Sequence, residues 1–235
     1  MARPRLSVRR GAAAIAPVAR ARRFGHRGHT GGAMLDGLMR RLIDPPLDRA
    51  GRMLARRGWS ADAVTLVGLA LGLLAAGLVA AGAPTLWAIL PLLAGRIADG
   101  LDGAIARAGR RTDFGGYLDI TCDFLFYAAI PLAFVLRAPE NGAAGAFLLA
   151  SFYVNGASFL GFAVLAAKRG METTARGEKS LYFTAGLLEG SETILFFLCL
   201  CLFPGLFAPA AWIFGSLCFV TAASRVLLAR RLFRD

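Results

Sequence analysis

Four aspartates stand in two close pairs within a stretch of the chain that is otherwise apolar. Asp99 and Asp102 are three residues apart, and Asp119 and Asp123 are four residues apart. If both segments are helical, the members of each pair lie on one helix face, with Cβ atoms roughly 5–6 Å apart. Two neighbouring antiparallel helices would then bring all four carboxylates to one point. Carboxylate oxygens are the ligands that Mg²⁺ and similar divalent cations prefer.

Carboxylates at this depth in apolar sequence need compensation, because each costs about 2.5–3.5 kcal/mol inside a bilayer. Divalent cations in a wet cavity would supply it, and ion pairs with arginines such as Arg96 and Arg107 are the structural alternative. Both histidines, His26 and His29, fall in the N-terminal arm. Acid–base or metal chemistry in the apolar part of the chain therefore falls to carboxylates.

The composition is that of a membrane protein. Hydrophobic residues make up 57% of the chain and charged residues 18%, with a mean hydropathy of +0.57. The formal net charge is +12, but the basic residues lie in the N-terminal arm and between the apolar runs. This distribution predicts contact with an anionic membrane surface and no nucleic-acid partner. The four cysteines lie inside apolar segments, without the spacing of a zinc site or a disulfide framework.

Three regions follow from the pattern. Residues 1–33 contain eight arginines and no acid, which predicts a disordered basic arm; a transit peptide and a true start at Met34 are alternatives. Residues 34–58 mix apolar residues with paired arginines, which predicts an amphipathic juxtamembrane segment interrupted at Pro45 and Pro46. Residues 59–235 form the membrane domain.

The membrane domain is predicted to be all-α, with about six transmembrane helices following the amphipathic segment, each close to the roughly 20 residues that a bilayer requires. Ser60 or Asp62 is expected to cap the first span, and Asp113 the third. The short connection between the second and third spans makes these two helices antiparallel neighbours that carry the aspartate pairs at similar depth. The predicted spans are Ala61–Ala81, Thr85–Ala106, Gly115–Leu136, Ala143–Ala167, Leu181–Phe203 and Pro209–Leu228.

Orientation follows from the arginines and lysines, which occupy alternate connections between the spans. The turns at the other end contain one basic residue, Arg137. By the positive-inside rule, both termini and the aspartates face the cytoplasm, and the predicted location is a bacterial inner membrane.

The pattern Asp99-x2-Asp102-Gly103-x2-Ala106-Arg107-x7-Gly115-x3-Asp119-x3-Asp123 resembles the signature of the CDP-alcohol phosphotransferase (CDP-alcohol phosphatidyltransferase) family. The connection from Arg107 to Gly115 is shorter than is usual in that family. Using Gly116 as the motif glycine would restore the length but place the following aspartates one position early, so Gly115 is retained.

The resemblance implies a transferase of phospholipid biosynthesis that moves a phosphoalcohol group, expected to be a phosphatidyl group, from a CDP-alcohol to a hydroxyl acceptor and releases CMP. At least one substrate would be a lipid, and dimers are common in the family. By resemblance, Asp99, Asp102, Asp119 and Asp123 would hold Mg²⁺ or Mn²⁺, as two ions, with Asp123 also the general base. Gly103, Ala106 and Arg107 would line the CDP site.

Other interpretations of these residues remain open. Intramembrane acids also occur in cation transporters, and a non-catalytic lipid-binding relative would keep the same fold. Glu189 and Glu192 share a face of the fifth span, where Arg225 is a natural partner and an acceptor-binding role is the alternative. Asn155 and Ser158 are expected to form interhelical hydrogen bonds. Four basic residues of the fourth connection could attract a phosphorylated acceptor or serve orientation alone: Lys168, Arg169, Arg176 and Lys179.

Overall fold

The structure is a computed structural model that describes residues 33–170 and 190–234, with side chains described from Pro45 onwards. The predicted basic arm, the start at Met34, Arg176, Lys179 and Glu189 concern residues or side chains outside this part. Within it there are seven α-helices and no strand: α1 (Ala33–Arg56), α2 (Ala61–Ala80), α3 (Leu86–Ala108), α4 (Asp113–Arg137), α5 (Gly142–Lys168), α6 (Gly190–Leu202) and α7 (Phe207–Leu232). All of them belong to one compact unit, Gly31–Asp235.

Four stretches of this described part are long and apolar enough to cross a membrane: α2, α4, Pro139–Lys168 and Pro204–Leu232. The last two are α5 and α7, each with the short 3₁₀ turn before it. Helix α3 is long enough, at roughly 35 Å, but carries the first aspartate pair and two arginines. Helix α6 is a shorter apolar helix over its described residues. The prediction of an all-α integral membrane protein is confirmed.

The helix starts agree with the predicted caps at one position and disagree at another. Ser60 caps α2, since its hydroxyl accepts a hydrogen bond from the backbone N–H of Ala63. The prediction that Asp113 caps α4 is wrong. Thr112 has the extended backbone of an N-cap, and its hydroxyl accepts from the N–H of Gly115 at 3.0 Å. Asp113 is the first helical residue, where its charge suits the helix dipole.

The predicted interruption at Pro45 and Pro46 is also wrong, because α1 continues through both prolines. A proline inside a helix removes a hydrogen bond and clashes with the preceding turn, so packing has to hold the later half in place. That half lies against α3. A side chain added at Gly51 would meet the Cβ of Ala104 at 2.5 Å, and one at Gly100 would meet Leu47 at 2.8 Å.

Helices α2 and α3 approach each other backbone to backbone. A Cβ added at Gly95 of α3 would lie 2.9 Å from the carbonyl oxygen of Gly68 in α2, and one at Gly68 would lie 3.1 Å from the carbonyl oxygen of Gly95. This close crossing needs two residues without side chains. It brings Thr65, about one turn before Gly68, next to Asp102.

The rest of the hydrophobic core lies between other pairs of helices. Helix α2 also packs on α4, and α5 packs on α7. Aromatic side chains fill the space between them, including Phe126, Phe134, Phe197 and Phe207, all fully buried. At the end remote from the aspartates, Arg137 donates to the carbonyl oxygen of Ala83 at 2.6 Å. The lone basic residue of those turns therefore ties α4 to the α2–α3 turn.

Candidate active site

Three of the four aspartates converge. Asp99 and Asp102 from α3 and Asp119 from α4 each offer a carboxylate oxygen, and these oxygens lie within 4.8 Å of one another. Asp102 is buried and the other two are half-buried. The i, i+3 spacing puts the first two on one face of α3. The third comes from α4, and α2 packs on both of these helices, whereas α3 and α4 make little close backbone contact with each other, unlike the directly packed neighbours that the short connection predicts. Carboxylate oxygens at this separation suit a divalent cation.

Asp123 is not one of the three convergent carboxylates, and it forms the shorter of the two ion pairs of Arg96. The Nη1 atom of Arg96 lies 2.8 Å from its Oδ1 atom and 3.5 Å from Oδ1 of Asp99. The guanidinium of Arg96 also lies over the ring of Phe126, 4.2 Å from its centroid, a cation–π contact. Arg96 thus orients Asp123 at the edge of the cluster.

The structural alternative, in which arginines alone compensate the aspartates, accounts for only part of the charge. Arg96 pairs with Asp99 and Asp123, whereas Arg107 pairs with Asp48 of α1. Within the part of the chain that the structure describes, neither Asp102 nor Asp119 has an arginine within ion-pair distance. One arginine beside four carboxylates leaves the cluster with an excess of negative charge, for which a bound cation is the natural complement.

Asp102 receives a hydrogen bond from a neighbouring helix. The hydroxyl of Thr65 in α2 donates to its Oδ2 atom at 2.5 Å. Both residues are 6% exposed, so bulk water has little access to this bond. Thr65 thereby sets the orientation of a carboxylate in the cluster.

The cluster opens into a cavity of about 550 Å³ between the ends of α2, α3 and α4. Gly103, Ala106 and Arg107, the residues expected to line a nucleotide site, all line it together with Asp102 and Asp119. Its wall further includes Asp62, Thr65, Arg110, Arg111, Thr112, Gly115 and Gly116. The cavity is therefore lined by both carboxylates and arginines, which suits a ligand that carries phosphates and bound cations.

Two glycines of the motif have a steric reason. A Cβ at Gly115 would lie 2.9 Å from the hydroxyl of Thr112 and 3.1 Å from Oδ1 of Asp62. A Cβ at Gly116 would meet nothing within 4 Å. The shortened connection thus places Gly115 at the tight position, which favours it over Gly116 as the motif glycine. A Cβ at Gly103 would lie 3.3 Å from Nη1 of Arg107.

Comparison with known proteins agrees with this geometry. The profile of the CDP-alcohol phosphatidyltransferase family matches residues 59–223, which is more than half of the chain. The chain belongs to the CDP-alcohol phosphatidyltransferase family. It is an enzyme of phospholipid synthesis that transfers a phosphatidyl-type group from a CDP-alcohol, and the reading as a cation transporter is not supported.

Similar proteins cover most of the chain. Inner membrane protein YnjF of Escherichia coli is 49% identical over 197 residues, which are 82% of this chain and 94% of that protein. Phosphatidylinositol phosphate synthase of Mycobacteroides abscessus is 28% identical over 185 residues, 75% of this chain and 80% of the other.

The fold is also that of a solved enzyme. The structure of phosphatidylinositol phosphate synthase of Mycobacterium tuberculosis with CDP-DAG bound aligns with a TM-score of 0.57 and 21% identity, covering 80% of this chain and 98% of that one. A second structure of that protein, in complex with manganese and citrate, aligns with a TM-score of 0.55, 21% identity and coverages of 77% and 88%.

The secondary candidates that the structure describes, Asn155, Ser158, Glu192 and Arg225, are not among the residues that line the aspartate cavity. Arg225 of α7 donates from Nη1 to the side-chain oxygen of Asn155 at 2.9 Å and to the hydroxyl of Ser158 at 2.6 Å. The prediction that Asn155 and Ser158 form interhelical hydrogen bonds is confirmed. The pairing of Arg225 with Glu189 concerns a residue outside the described part of the chain, and Glu192 contacts the hydroxyl of Ser191.

Three residues of the site escaped sequence reasoning as functional candidates. Asp62 was considered only as a helix cap, while Thr65 and Asp48 were not singled out. Thr65 carries a weak signal, since a hydroxyl near the start of a membrane helix commonly bonds its own backbone; here the carbonyl oxygen of Ala61, 3.1 Å from the hydroxyl, is the more distant of two acceptors for its one proton. No sequence pattern marks Asp48 as functional, because its partner Arg107 is distant in the sequence.

Proposed function

We propose that the donor of this enzyme is a lipid-linked CDP-alcohol of the CDP-diacylglycerol type and that the acceptor is a polar hydroxyl compound. The observation that carries the proposal is the cavity that Asp102 and Asp119, two of the three convergent carboxylates, line together with Gly103, Ala106 and Arg107. Support for the donor comes from the related synthase solved with CDP-DAG. Support for a polar acceptor comes from the relative named phosphatidylinositol phosphate synthase, which makes an inositol phosphate the first acceptor to test.

Asp99, Asp102 and Asp119 would hold a divalent cation, Mg²⁺ or Mn²⁺, with Asp123 at the edge of the site. The donor set fits, because it consists of oxygen ligands alone and three of them already lie within 4.8 Å of one another. Four carboxylates are enough for the two ions of a two-metal site, and the related synthase was solved with manganese. When bound, such ions neutralise the diphosphate and stabilise the charge that develops during transfer.

The remaining steps belong to the protein's own residues. Gly103 and Ala106 let the nucleotide approach the backbone of α3, and Arg107 binds a phosphate. Asp123, oriented by Arg96, accepts the proton of the acceptor hydroxyl. The hydroxyl oxygen then forms a bond to the phosphorus that carries the alcohol. The bond from that phosphorus to the CMP oxygen breaks, and CMP leaves.

The orientation and location are part of the proposal. Basic residues lie at the end of the helices that carries the cavity, with Arg56, Arg57, Arg110 and Arg111 among them, which favours a cytoplasmic site. The relative named as an inner membrane protein supports the same membrane for this chain. The homodimer implied by the family resemblance stays a prediction, which the mass of the detergent-solubilised protein tests.

The purified enzyme, assayed with Mg²⁺, CDP-diacylglycerol and a panel of polar acceptors that includes an inositol phosphate, is expected to release CMP. Asp123→Asn should reduce this release by at least about a hundredfold, since general bases contribute roughly 10²–10⁴-fold. The melting temperature should change little. Asp113→Asn is the matched control, because it makes the same chemical change at an exposed position of the same helix. Full CMP release by Asp123→Asn would remove this residue from the mechanism.

A further inference from the structure

Arg107 is anchored by a residue of α1. Asp48 accepts hydrogen bonds on one oxygen, Oδ1, from Nη2 of Arg107 at 2.7 Å and from Nε at 3.3 Å. The two side chains are 42% and 38% exposed for Arg107 and Asp48 respectively. Helix α1 precedes the region that the family profile covers, so this contact adds a residue to the site from outside the family's shared part.

The position of Asp48 is determined by the packing of α1 on α3. Leu47 lies over Gly100, and Gly51 lies against the backbone and Cβ of Ala104, as the close approaches at both glycines indicate. Asp48 stands between these two contacts in the sequence. Movement of its backbone would therefore disturb well-packed contacts on either side.

The ion pair leaves one side of the guanidinium directed at the cavity. The Nε and Nη2 atoms of Arg107 donate to Asp48, while its Nη1 atom lies 3.3 Å from the position that a Cβ at Gly103 would occupy. Gly103 lines the cavity beside Asp102. A planar guanidinium held along one edge keeps the opposite N–H groups in a defined direction, which is the arrangement that phosphate recognition needs.

We propose that Asp48 is a positioning residue that holds Arg107 in the orientation in which it receives the diphosphate of the donor. The inference rests on the proposed function, because it assigns Arg107 to the CDP site. An arginine side chain without such an anchor samples many rotamers, and the entropy of ordering it would be lost when the donor binds. Because Asp48 already orders the Arg107 side chain in the free protein, less entropy is lost when the donor binds.

The test compares Asp48→Asn, Asp48→Glu and Arg107→Gln with the wild type, and uses Asp113→Asn as the matched acid-to-amide control. Two quantities are measured in detergent with Mg²⁺. One is KM for CDP-diacylglycerol and, separately, for the acceptor; the other is the rise in melting temperature that CDP produces, which needs no turnover.

Asp48→Asn is expected to raise the donor KM roughly two- to fivefold, the range for an exposed charge pair, and to shrink the stabilisation by CDP. The acceptor KM and the melting temperature without nucleotide should not change. Asp48→Glu should restore most of the donor affinity. In the Arg107→Gln background, Asp48→Asn should have no further effect, because Asp48 acts only through Arg107.

An unchanged or lower donor KM in Asp48→Asn overturns the inference, as does a rise that persists in the Arg107→Gln background. The proposed function fails separately, if the wild type releases no CMP with any acceptor. In that case the rise in melting temperature that CDP produces, compared between the wild type and Asp48→Asn, still tests the role of Asp48. A wild type that neither turns over nor is stabilised by CDP refutes both.

Discussion

The hydrogen bond from Thr65 to Asp102 yields the sharpest prediction about the carboxylate cluster. Thr65→Val removes the hydroxyl and retains the shape of the side chain, so the packing of α2 on α3 is preserved. Both residues are 6% exposed, and valine offers no donor in place of the hydroxyl. Asp102 would lose the hydrogen bond that sets its orientation.

The magnitude follows from the kind of bond. A hydrogen bond to a charged group contributes about 1.5–3 kcal/mol, which corresponds to roughly 10–150-fold in an equilibrium constant. Loss of a residue that orients a metal ligand typically costs about 10–100-fold in metal affinity or activity. The two estimates agree, so Thr65→Val should need at least about ten times more Mg²⁺ for half-maximal CMP release.

The assay is an Mg²⁺ titration of CMP release, with Mn²⁺ binding followed by electron paramagnetic resonance as a readout without turnover. Thr65→Ser keeps the hydroxyl and should stay close to the wild type. Thr121→Val is the matched control, since the Thr121 hydroxyl donates within its own helix, to the carbonyl oxygen of Tyr117. Identical metal titrations for Thr65→Val and the wild type would refute the reasoning.

Two further predictions concern the ligands and the helix crossing. Asp99→Asn should shift the Mg²⁺ titration to concentrations higher by about tenfold or more, because it removes a charged oxygen ligand; a titration that overlays that of Asp113→Asn would argue against ligation. Gly95→Ala should destabilise the protein by about 1–3 kcal/mol, measured as a lower melting temperature, because its Cβ would lie 2.9 Å from the backbone oxygen of Gly68 and 3.3 Å from the backbone nitrogen of Gly72. Gly77→Ala, where a Cβ meets nothing within 4 Å, is the control, and equal melting temperatures for the two variants would contradict the packing argument.

The membrane helices were predictable because their signal is local. A run of apolar residues long enough for a bilayer has few other structures available to it, and the predicted ends of the first and fourth spans lie within one residue of the helices observed. The predictions were wrong at two places where local sequence signals compete with each other or with tertiary packing. Asp113 and Thr112 are both good capping residues, and only backbone conformation distinguishes the cap from the first helical residue. Pro45 and Pro46 argue for a break that contacts between α1 and α3 override.

The aspartates were recognisable for a similar reason. Charge is conspicuous in apolar sequence, and spacings of three and four residues place each pair on one helix face. The ion pair between Asp123 and Arg96 was not predictable from the spacing, since it depends on the Arg96 side chain reaching from α3 to α4. The same holds for Asp48 and Thr65, whose partners lie 59 and 37 residues away.

The sequence by itself thus determined the class of protein, the helices that cross the membrane and the motif that marks its family. These properties depend on composition and on short periodic spacings, which each segment carries without its neighbours. The tertiary structure alone decided which carboxylates share a site, which of them Arg96 pairs with, and which side chains orient them. Those relations depend on how α1 and α2 pack on α3 and how α2 packs on α4, and glycines at the crossings of α1 and α2 with α3 set how closely those helices approach.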